Sequence, residues 1–142
     1  MHACIVTPDF IGPIRNGGVG TACLGLAEAL RDCGHRVSVL YGSTHYEEGD
    51  AAYWRNHYRA EGIDFYTPAD WNSTRYTNQQ LGRSALVLED IRRRNYDLVH
   101  MADYGGLGFY VAQSATLAQL DPATALVTAL IAAAVGSCRA TT

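Results

Sequence analysis

Lysine is absent from this sequence: the chain has 142 residues and 11 basic residues, and every basic residue is an arginine. Without lysine the chain can form no Schiff base, and it lacks the phosphate-binding lysine of a P-loop. Positive charge is scarce as well, because the net charge is −3 and the longest basic run is 92–94. These features argue against a nucleic-acid partner.

Clustered cysteines, a secretory leader and a membrane-spanning run are missing too. The cysteines at positions 4, 23, 33 and 138 form no Cys-x-x-Cys pair, so the sequence predicts no metal site. The first residues carry no basic segment, and the longest apolar stretch, 123–136, is shorter than the roughly 18 residues that cross a bilayer. We expect a reduced, cytoplasmic protein without a membrane span.

The composition that remains is typical of one folded domain. Hydrophobic residues make up 48% of the chain and charged residues 18%, which is too apolar for a disordered chain. A chain of this length can bury one core of useful size, and it is too short for two.

Apolar runs and helical spacing alternate along the first part of the chain. Residues 3–7 form an apolar run rich in β-branched residues, and residues 36–41 alternate and then become apolar, which predicts two strands. Between them a helix that ends at Gly34 is predicted from apolar residues at steps of three and four: Val19, Cys23, Leu26, Leu30 and Cys33. Cys23 and Cys33 are therefore interpreted as small apolar residues of its buried face. A strand, a helix and a strand in this order predict a parallel pair with a right-handed crossover.

The same alternation continues to residue 129. Three further helices are predicted over 53–60, 77–94 and 107–119, and three further strands over 63–66, 96–101 and 125–129. This order of elements predicts an α/β fold with a doubly wound, mainly parallel sheet.

The helix predicted over 77–94 carries its own signals. Thr77 and Gln80 have the spacing of a capping box at its start. Its buried face is predicted to consist of Leu81, Ala85, Leu88 and Ile91.

Glycines surround Val19 at the mouth of the first predicted helix, at positions 17, 18 and 20. Glycine lets the backbone approach a ligand closely, and a helix start offers unpaired N–H groups and a partial positive charge. The loop therefore suits a phosphate. The same glycines also suit a tight turn with close packing of the helix on the sheet, and the residues alone leave both interpretations open.

A nicotinamide- or flavin-binding oxidoreductase is disfavoured. Its GxGxxG fingerprint, counted from Gly18 and Gly20, would need a glycine where the chain has Cys23. The fingerprint also follows its strand directly, whereas about nine residues intervene here. Tyr41-Gly42-Ser43 stands at the end of the second strand, where a ribose-binding acidic residue would be expected.

A second cluster of polar residues follows the strand predicted over 96–101. We expect His100 and Asp103 at the carboxyl end of this strand, on the rim where α/β sheets bind ligands. Two alternatives stay open: His100 can simply be hydrogen-bonded to a neighbouring loop, and Asp103 can be the N-cap of a helix that begins near Gly105.

Three segments of the chain carry a family resemblance. They are 7–9 with the loop 15–20, the stretch 26–37, and the strand 96–100 that leads to Asp103 and to the glycines of 105–108. Their sequence and order resemble the amino-terminal, Rossmann-like domain of GT-B glycosyltransferases over residues 1–128. The closest resemblance is to the glycosyltransferase 4 group, which is similar to bacterial glycogen and starch synthases in this region.

The resemblance implies a reaction and roles for particular residues. Proteins of this family transfer a sugar from a nucleotide-sugar donor to the hydroxyl of a carbohydrate or another acceptor, without a cofactor or a required metal. Binding of the donor diphosphate would fall on Arg15, Gly17, Gly18 and Val19. Arg15 stands where related synthases carry a lysine, and arginine also binds phosphate. His100 and Asp103 become the candidate catalytic residues.

Two features depart from the family pattern. Many members carry a second histidine two residues after the first, where this chain has Ala102. From 129 to 142 the sequence is rich in alanine and threonine instead of continuing into further strands. We therefore expect a truncated, catalytically incomplete half of a glycosyltransferase. The alternative is a stand-alone ligand-binding or docking module without catalysis.

Overall fold

The computed structural model describes residues 1–15, 17–69, 71–72 and 78–129. Within these ranges strands and α-helices alternate: β1 His2–Thr7, α1 Gly18–Asp32, β2 Arg36–Tyr41, α2 Ala51–Ala60, β3 Ile63–Tyr66, α3 Gln79–Arg94, β4 Leu98–Ala102, α4 Phe109–Thr116 and β5 Ala125–Ala129. All strand pairs are parallel, in the order β3-β2-β1-β4-β5. The predicted doubly wound α/β fold is confirmed. Residues 130–142 of the expected tail lie outside the described ranges.

β1 lies at the centre of the sheet because its apolar residues are buried on both faces. Ile5 pairs with Val39 of β2 on one side and with His100 of β4 on the other. α1 and α2 cover the face that carries Ile5, whereas α3 and α4 cover the face that carries Cys4 and Val6. Burial on both faces is typical of a parallel strand. Among the described residues, every helix is too short or too polar to cross a bilayer.

α1 follows the sequence prediction at both ends, with one exception among its cysteines. Gly34 has a φ of 82°, the left-handed conformation that ends helices and that glycine adopts without strain. Cys23 is buried as predicted, but Cys33 is exposed. The prediction for Cys33 is wrong because this residue is the C-cap, where the chain turns away from the buried face of α1.

α3 differs from the prediction in its cap and in its buried face. Asn78 is the N-cap, and its Oδ1 accepts hydrogen bonds from the backbone N–H groups of Gln80 and Leu81 at 3.0 and 3.2 Å. Thr77 lies outside the described residues. Leu81 is 41% exposed, and the buried residues of the helix are Gly82, Ser84, Leu86, Val87, Asp90 and Ile91. Buried polar residues enter this face because they are hydrogen-bonded: Ser84 Oγ accepts from the N–H of Tyr110 at 2.9 Å.

α4 is shorter than the helix predicted over 107–119. A 3₁₀ turn, Tyr104–Gly106, precedes it, and Gly105 within this turn has a φ of 80°. Gly108 is the N-cap, so the regular helix begins at Phe109. At the other end, Ala118 has a φ of 54°, which lies outside the helical range, so the helix does not reach residue 119.

A polar network is buried between β3, the end of α3 and Tyr96. Tyr66 Oη donates to Asp90 Oδ2 at 2.5 Å and lies 2.6 Å from Tyr96 Oη. Arg94 Nε donates to Asp90 Oδ1 at 3.3 Å, and its guanidinium carbon lies 3.8 Å from the centre of the Tyr66 ring. Burial raises the pKa of both tyrosine hydroxyls, so they remain protonated. The network supplies the partners that a buried carboxylate requires.

Removal of the Asp90 carboxylate tests this network. We expect Asp90→Ala to lower the free energy of unfolding by about 2–3 kcal/mol, because Tyr66 and Arg94 lose a charged acceptor. Asp32→Ala is the matched control, since Asp32 forms an exposed ion pair with Arg31 and such pairs contribute about 0–1 kcal/mol. Urea denaturation measures both changes, and equal losses would contradict a stabilising role for the network.

Candidate functional site

The order of the strands reverses between β1 and β4, which lie side by side. From β1 the chain proceeds through α1 to β2 on one side, whereas from β4 it proceeds through α4 to β5 on the other side. The two connections therefore diverge and leave a crevice beyond the carboxyl ends of β1 and β4. Ligands of open α/β sheets bind at such a position.

The loops around this crevice pack closely on one another. A Cβ added at Gly105 would lie 3.3 Å from Pro8 Cγ, so the loop after β4 touches the loop after β1. A Cβ at Gly42, just after β2, would collide with the side chain of Leu107. The structure thus brings together the two segments that the sequence singled out, and glycine is needed where they meet.

The glycine loop opens α1 directly onto the crevice. Gly17 is the N-cap and provides no capping side chain, so the first N–H groups of α1 lack a capping partner from this residue. Gly18 is exposed, and no described atom lies within 4 Å of the position of a Cβ added to it. Gly18 is therefore accessible to a ligand at the positive end of the helix, whereas the side chain of Val19 is half-buried against the core.

Asp9 occupies the other side of the same helix terminus, and the sequence analysis did not assign it a role. Its carboxylate lies against Gly17, where a Cβ would collide with it, and its Oδ1 lies 3.2 Å from a Cβ added at Gly20. Burial raises the pKa of the Asp9 carboxyl, and the charge of Glu47 raises it further. Thr7 Oγ1 donates to the Asp9 carbonyl at 2.7 Å and fixes this turn. The available signal in the sequence is Thr-Pro-Asp at the end of β1.

Arg15 lies two residues before Gly17 and is held by acidic residues. Its guanidinium forms an ion pair with Glu48, and its backbone N–H donates to Glu47 Oε2 at 2.9 Å. The side chain is 65% exposed. Ion pairs this exposed contribute about 0–1 kcal/mol, so a phosphate could replace Glu48 at little cost in free energy.

His100 lies deeper in the sheet than the sequence predicted. It is the third of the five residues of β4 instead of its end, and it pairs with Ile5 and Val127. At about 3.3 Å per residue, the imidazole lies roughly 6–7 Å below the carboxyl edge. Its Nδ1 is buried without a hydrogen-bond partner among the described residues. Burial lowers the pKa of His100, so its neutral form is favoured.

Asp103 is the polar residue that stands at the edge itself. It directly follows β4 and precedes the 3₁₀ turn, and its N–H donates to the carbonyl of Ala129 at 3.3 Å. Asp103 occupies the N-cap position of that turn, although its side chain makes no capping hydrogen bond there. Ala102, which stands at the position of the family's second histidine, is buried. Next to Asp103, Tyr104 is 64% exposed, an aromatic side chain on the rim that sequence reasoning missed.

Over the part of the chain that the structure describes, no group of three or more His, Cys, Asp or Glu side chains could hold a metal ion.

Comparisons with known proteins place the chain in a family. A family model described as a glycosyl transferase 4-like domain matches residues 17–135, which takes in the glycine loop, β4 and the turn after it. A comparison with curated proteins finds no match. Because the family model covers well over half of the chain, the protein belongs to the family of glycosyl transferase 4-like domains.

Proposed function

We propose that this domain is the amino-terminal, acceptor-side half of a GT-B glycosyltransferase related to glycogen and starch synthases. The complete enzyme would move a sugar from a nucleotide-sugar donor to a hydroxyl of a carbohydrate or another acceptor. The observation that carries this proposal is the reversal of strand order beside β1, together with the contacts of the loop that follows β1. Asp9 of this loop lies against Gly17 at the start of α1, and Pro8 lies against Gly105 in the loop after β4. Membership of the family supplies the class of reaction.

The donor diphosphate is assigned to the glycine loop. The N–H groups of Gly18 and Val19 point from a helix start, whose partial positive charge favours a phosphate. Gly17 allows the loop to pass close to Asp9, where a side chain would collide. The guanidinium of Arg15 can release Glu48 and bind a phosphate oxygen in its place. Such fixed donors stabilise the negative charge that develops on a departing diphosphate.

The acceptor side is assigned to Asp103 and His100. Asp103 lies at the edge, where its carboxylate could accept a hydrogen bond from a sugar hydroxyl and hold that hydroxyl for transfer. His100 lies below this edge, and a neutral imidazole at that depth can position the end of β4 and its loop. Sugar-ring contact with the exposed face of Tyr104 completes the proposed acceptor wall.

Two tryptophan substitutions on one helix test the assignment of the diphosphate. Gly18 and Gly25 both lie in α1 with open space around them, so neither Gly18→Trp nor Gly25→Trp should disturb the fold. We expect only Gly18→Trp to weaken binding of pyrophosphate, by about tenfold or more, because it fills the approach to the helix start. The amide NMR signals of the first turn of α1 report this binding. Equal affinities in the two variants would contradict the assignment.

Asp9 should oppose the binding of an anion at the same helix start. Asp9→Asn removes the charge and keeps the shape of the side chain, so we expect it to bind pyrophosphate about tenfold more tightly at pH 8. Because the pKa of Asp9 is raised, its carboxylate is neutralised at a higher pH than an ordinary aspartate. The ratio of the two affinities should therefore approach one as the pH falls, and titrations at several pH values measure it. A ratio that does not change with pH would show that the charge of Asp9 does not act on the ligand.

The isolated chain of 142 residues should not transfer sugar from common nucleotide-sugars. The described domain supplies one wall of a cleft, whereas the reaction needs donor and acceptor held together, an arrangement that lowers a barrier by roughly 7–11 kcal/mol. Release of nucleoside diphosphate and formation of glycoside measure the activity. Turnover by the purified chain that is lost in Asp103→Ala would overturn the assignment of an incomplete half. The chain could also bind a sugar ligand without turnover, and added carboxy-terminal domains of related transferases could fail to restore transfer. These two results together would favour a stand-alone binding module.

A further inference from the structure

A second cavity lies beside β3, the outer strand on one side of the described sheet. It has a volume of about 540 Å³, within the range of small-molecule sites. Four arginines line it from two helices: Arg55 and Arg59 of α2, and Arg93 and Arg94 of α3. α2 and α3 cover opposite faces of the sheet, so these side chains approach the edge of β3 from both sides.

Arg94 is not available as a ligand-binding residue of this cavity, because two carboxylates of the protein already bind its guanidinium. Its Nη1 lies 3.6 Å from Asp64 Oδ2, and its Nε donates to Asp90 Oδ1 at 3.3 Å. Both carboxylates also accept hydrogen bonds from other groups, Asp64 from Ser38 and Asp90 from Tyr66. The two acidic residues of the lining are thus held by the protein itself.

The other three arginines of the lining have weak acidic partners or none among the described residues. Arg55 and Arg59 lie one helical turn apart on α2, and within the described part of the chain neither forms an ion pair or a side-chain hydrogen bond. Like charges at this spacing repel each other. Arg93 has an exposed partner, Glu89, at 3.5 Å. Three guanidinium groups therefore meet at one cavity of a chain whose net charge is −3.

Simpler roles explain only part of this cluster. Arginine in the last turn of a helix offsets the negative end of the helix dipole, which accounts for Arg59, Arg93 and Arg94. Charge beside an outer strand also prevents pairing with other chains. Arg55 lies in the middle of α2, away from either helix end, so neither of these roles accounts for it. An anion between Arg55 and Arg59 would offset the repulsion between their charges.

We propose that this cavity binds the phosphoryl group of a small phosphorylated molecule, held by Arg55, Arg59 and Arg93. The planar guanidinium donates two parallel hydrogen bonds to a phosphate, so pairs of arginines are suited to this ligand. β2 separates β3 from β1, and at about 4.8 Å per strand the cavity lies about 10 Å or more from the crevice. The site is distinct from the glycine loop and does not depend on the proposed transferase function.

Titration with pyrophosphate and inorganic phosphate tests the proposal, with the arginine Nε NMR signals as the readout. We expect saturable shifts of Arg55 and Arg59, and at least tenfold weaker binding in the double variant Arg55→Gln/Arg59→Gln. The control Arg83→Gln/Arg92→Gln removes the same charge outside the cavity lining and should bind within twofold of the wild type. Both arginines of the test pair are exposed, and circular dichroism verifies that each variant is folded.

Three results would overturn the proposal. Unchanged affinity in Arg55→Gln/Arg59→Gln would exclude these residues as ligands, and an equal loss in the control would show an effect of net charge alone. Binding to vesicles that contain a phosphoinositide, with none to soluble pyrophosphate, would identify a lipid surface instead. Loss of binding in Gly18→Trp would place the anion at the glycine loop and not in the β3 cavity. Failure of the β3-cavity proposal can therefore be distinguished from failure of the transferase assignment.

Discussion

The reversal of strand order beside β1 is the constraint on which the rest of this structure depends. Because all the described strands are parallel, every carboxyl end lies at one edge, and the loops that leave β1, β2 and β4 compete for the same space. Gly42 and Gly105 stand where those loops touch, and a Cβ at Gly42 would force the side chain of Leu107 to move. The crevice exists because α1 and α4 leave this edge toward opposite faces. Its chemistry then depends on which polar residues follow each strand.

The start of α1 shows how the fold both creates and restricts an anion site. A helix terminus without a capping side chain attracts negative charge, and here the carboxylate of Asp9 has taken one side of it. The raised pKa of Asp9 means that burial disfavours its charge more than the helix start stabilises it. The accessible side, at Gly18, is therefore the side on which a ligand can replace water without displacing protein. The close approach of Asp9 also fixes the glycine loop, which reduces the conformational freedom lost on binding.

Local sequence patterns predict most of the helices and strands correctly. They do not predict how deeply individual residues are buried or where along a strand they lie. The runs at 3–7 and 36–41 predict β1 and β2 because burial on both faces leaves an apolar signal in the sequence. The apolar run at 125–129 also predicts its strand, although every residue of β5 is exposed or half-buried. The buried face of α3 could not be derived in that way, since Ser84 and Asp90 are buried only through partners on α4 and β3. His100 was expected at the rim, but β4 ends at Ala102, two residues beyond His100 and one residue later than predicted. Asp9 and the pair of Arg15 with Glu48 depend on contacts across the first loops, which no spacing reveals.

The absence of lysine gives the positive charges of this chain a common chemistry. Each one is a planar guanidinium that is always protonated, so pH alters the charge of its partners and leaves its own unchanged. Arg94 uses this geometry to span Asp64 and Asp90 while it stacks on Tyr66, which fixes the end of α3 against β3. Arg15 makes only an exposed pair, and Arg55 and Arg59 make none within the described residues. Arg94 is therefore held in place by two acidic residues, whereas Arg55 and Arg59 line the β3 cavity with donors that no described side chain uses. These unused donors are the ones that the fold can offer to an anion.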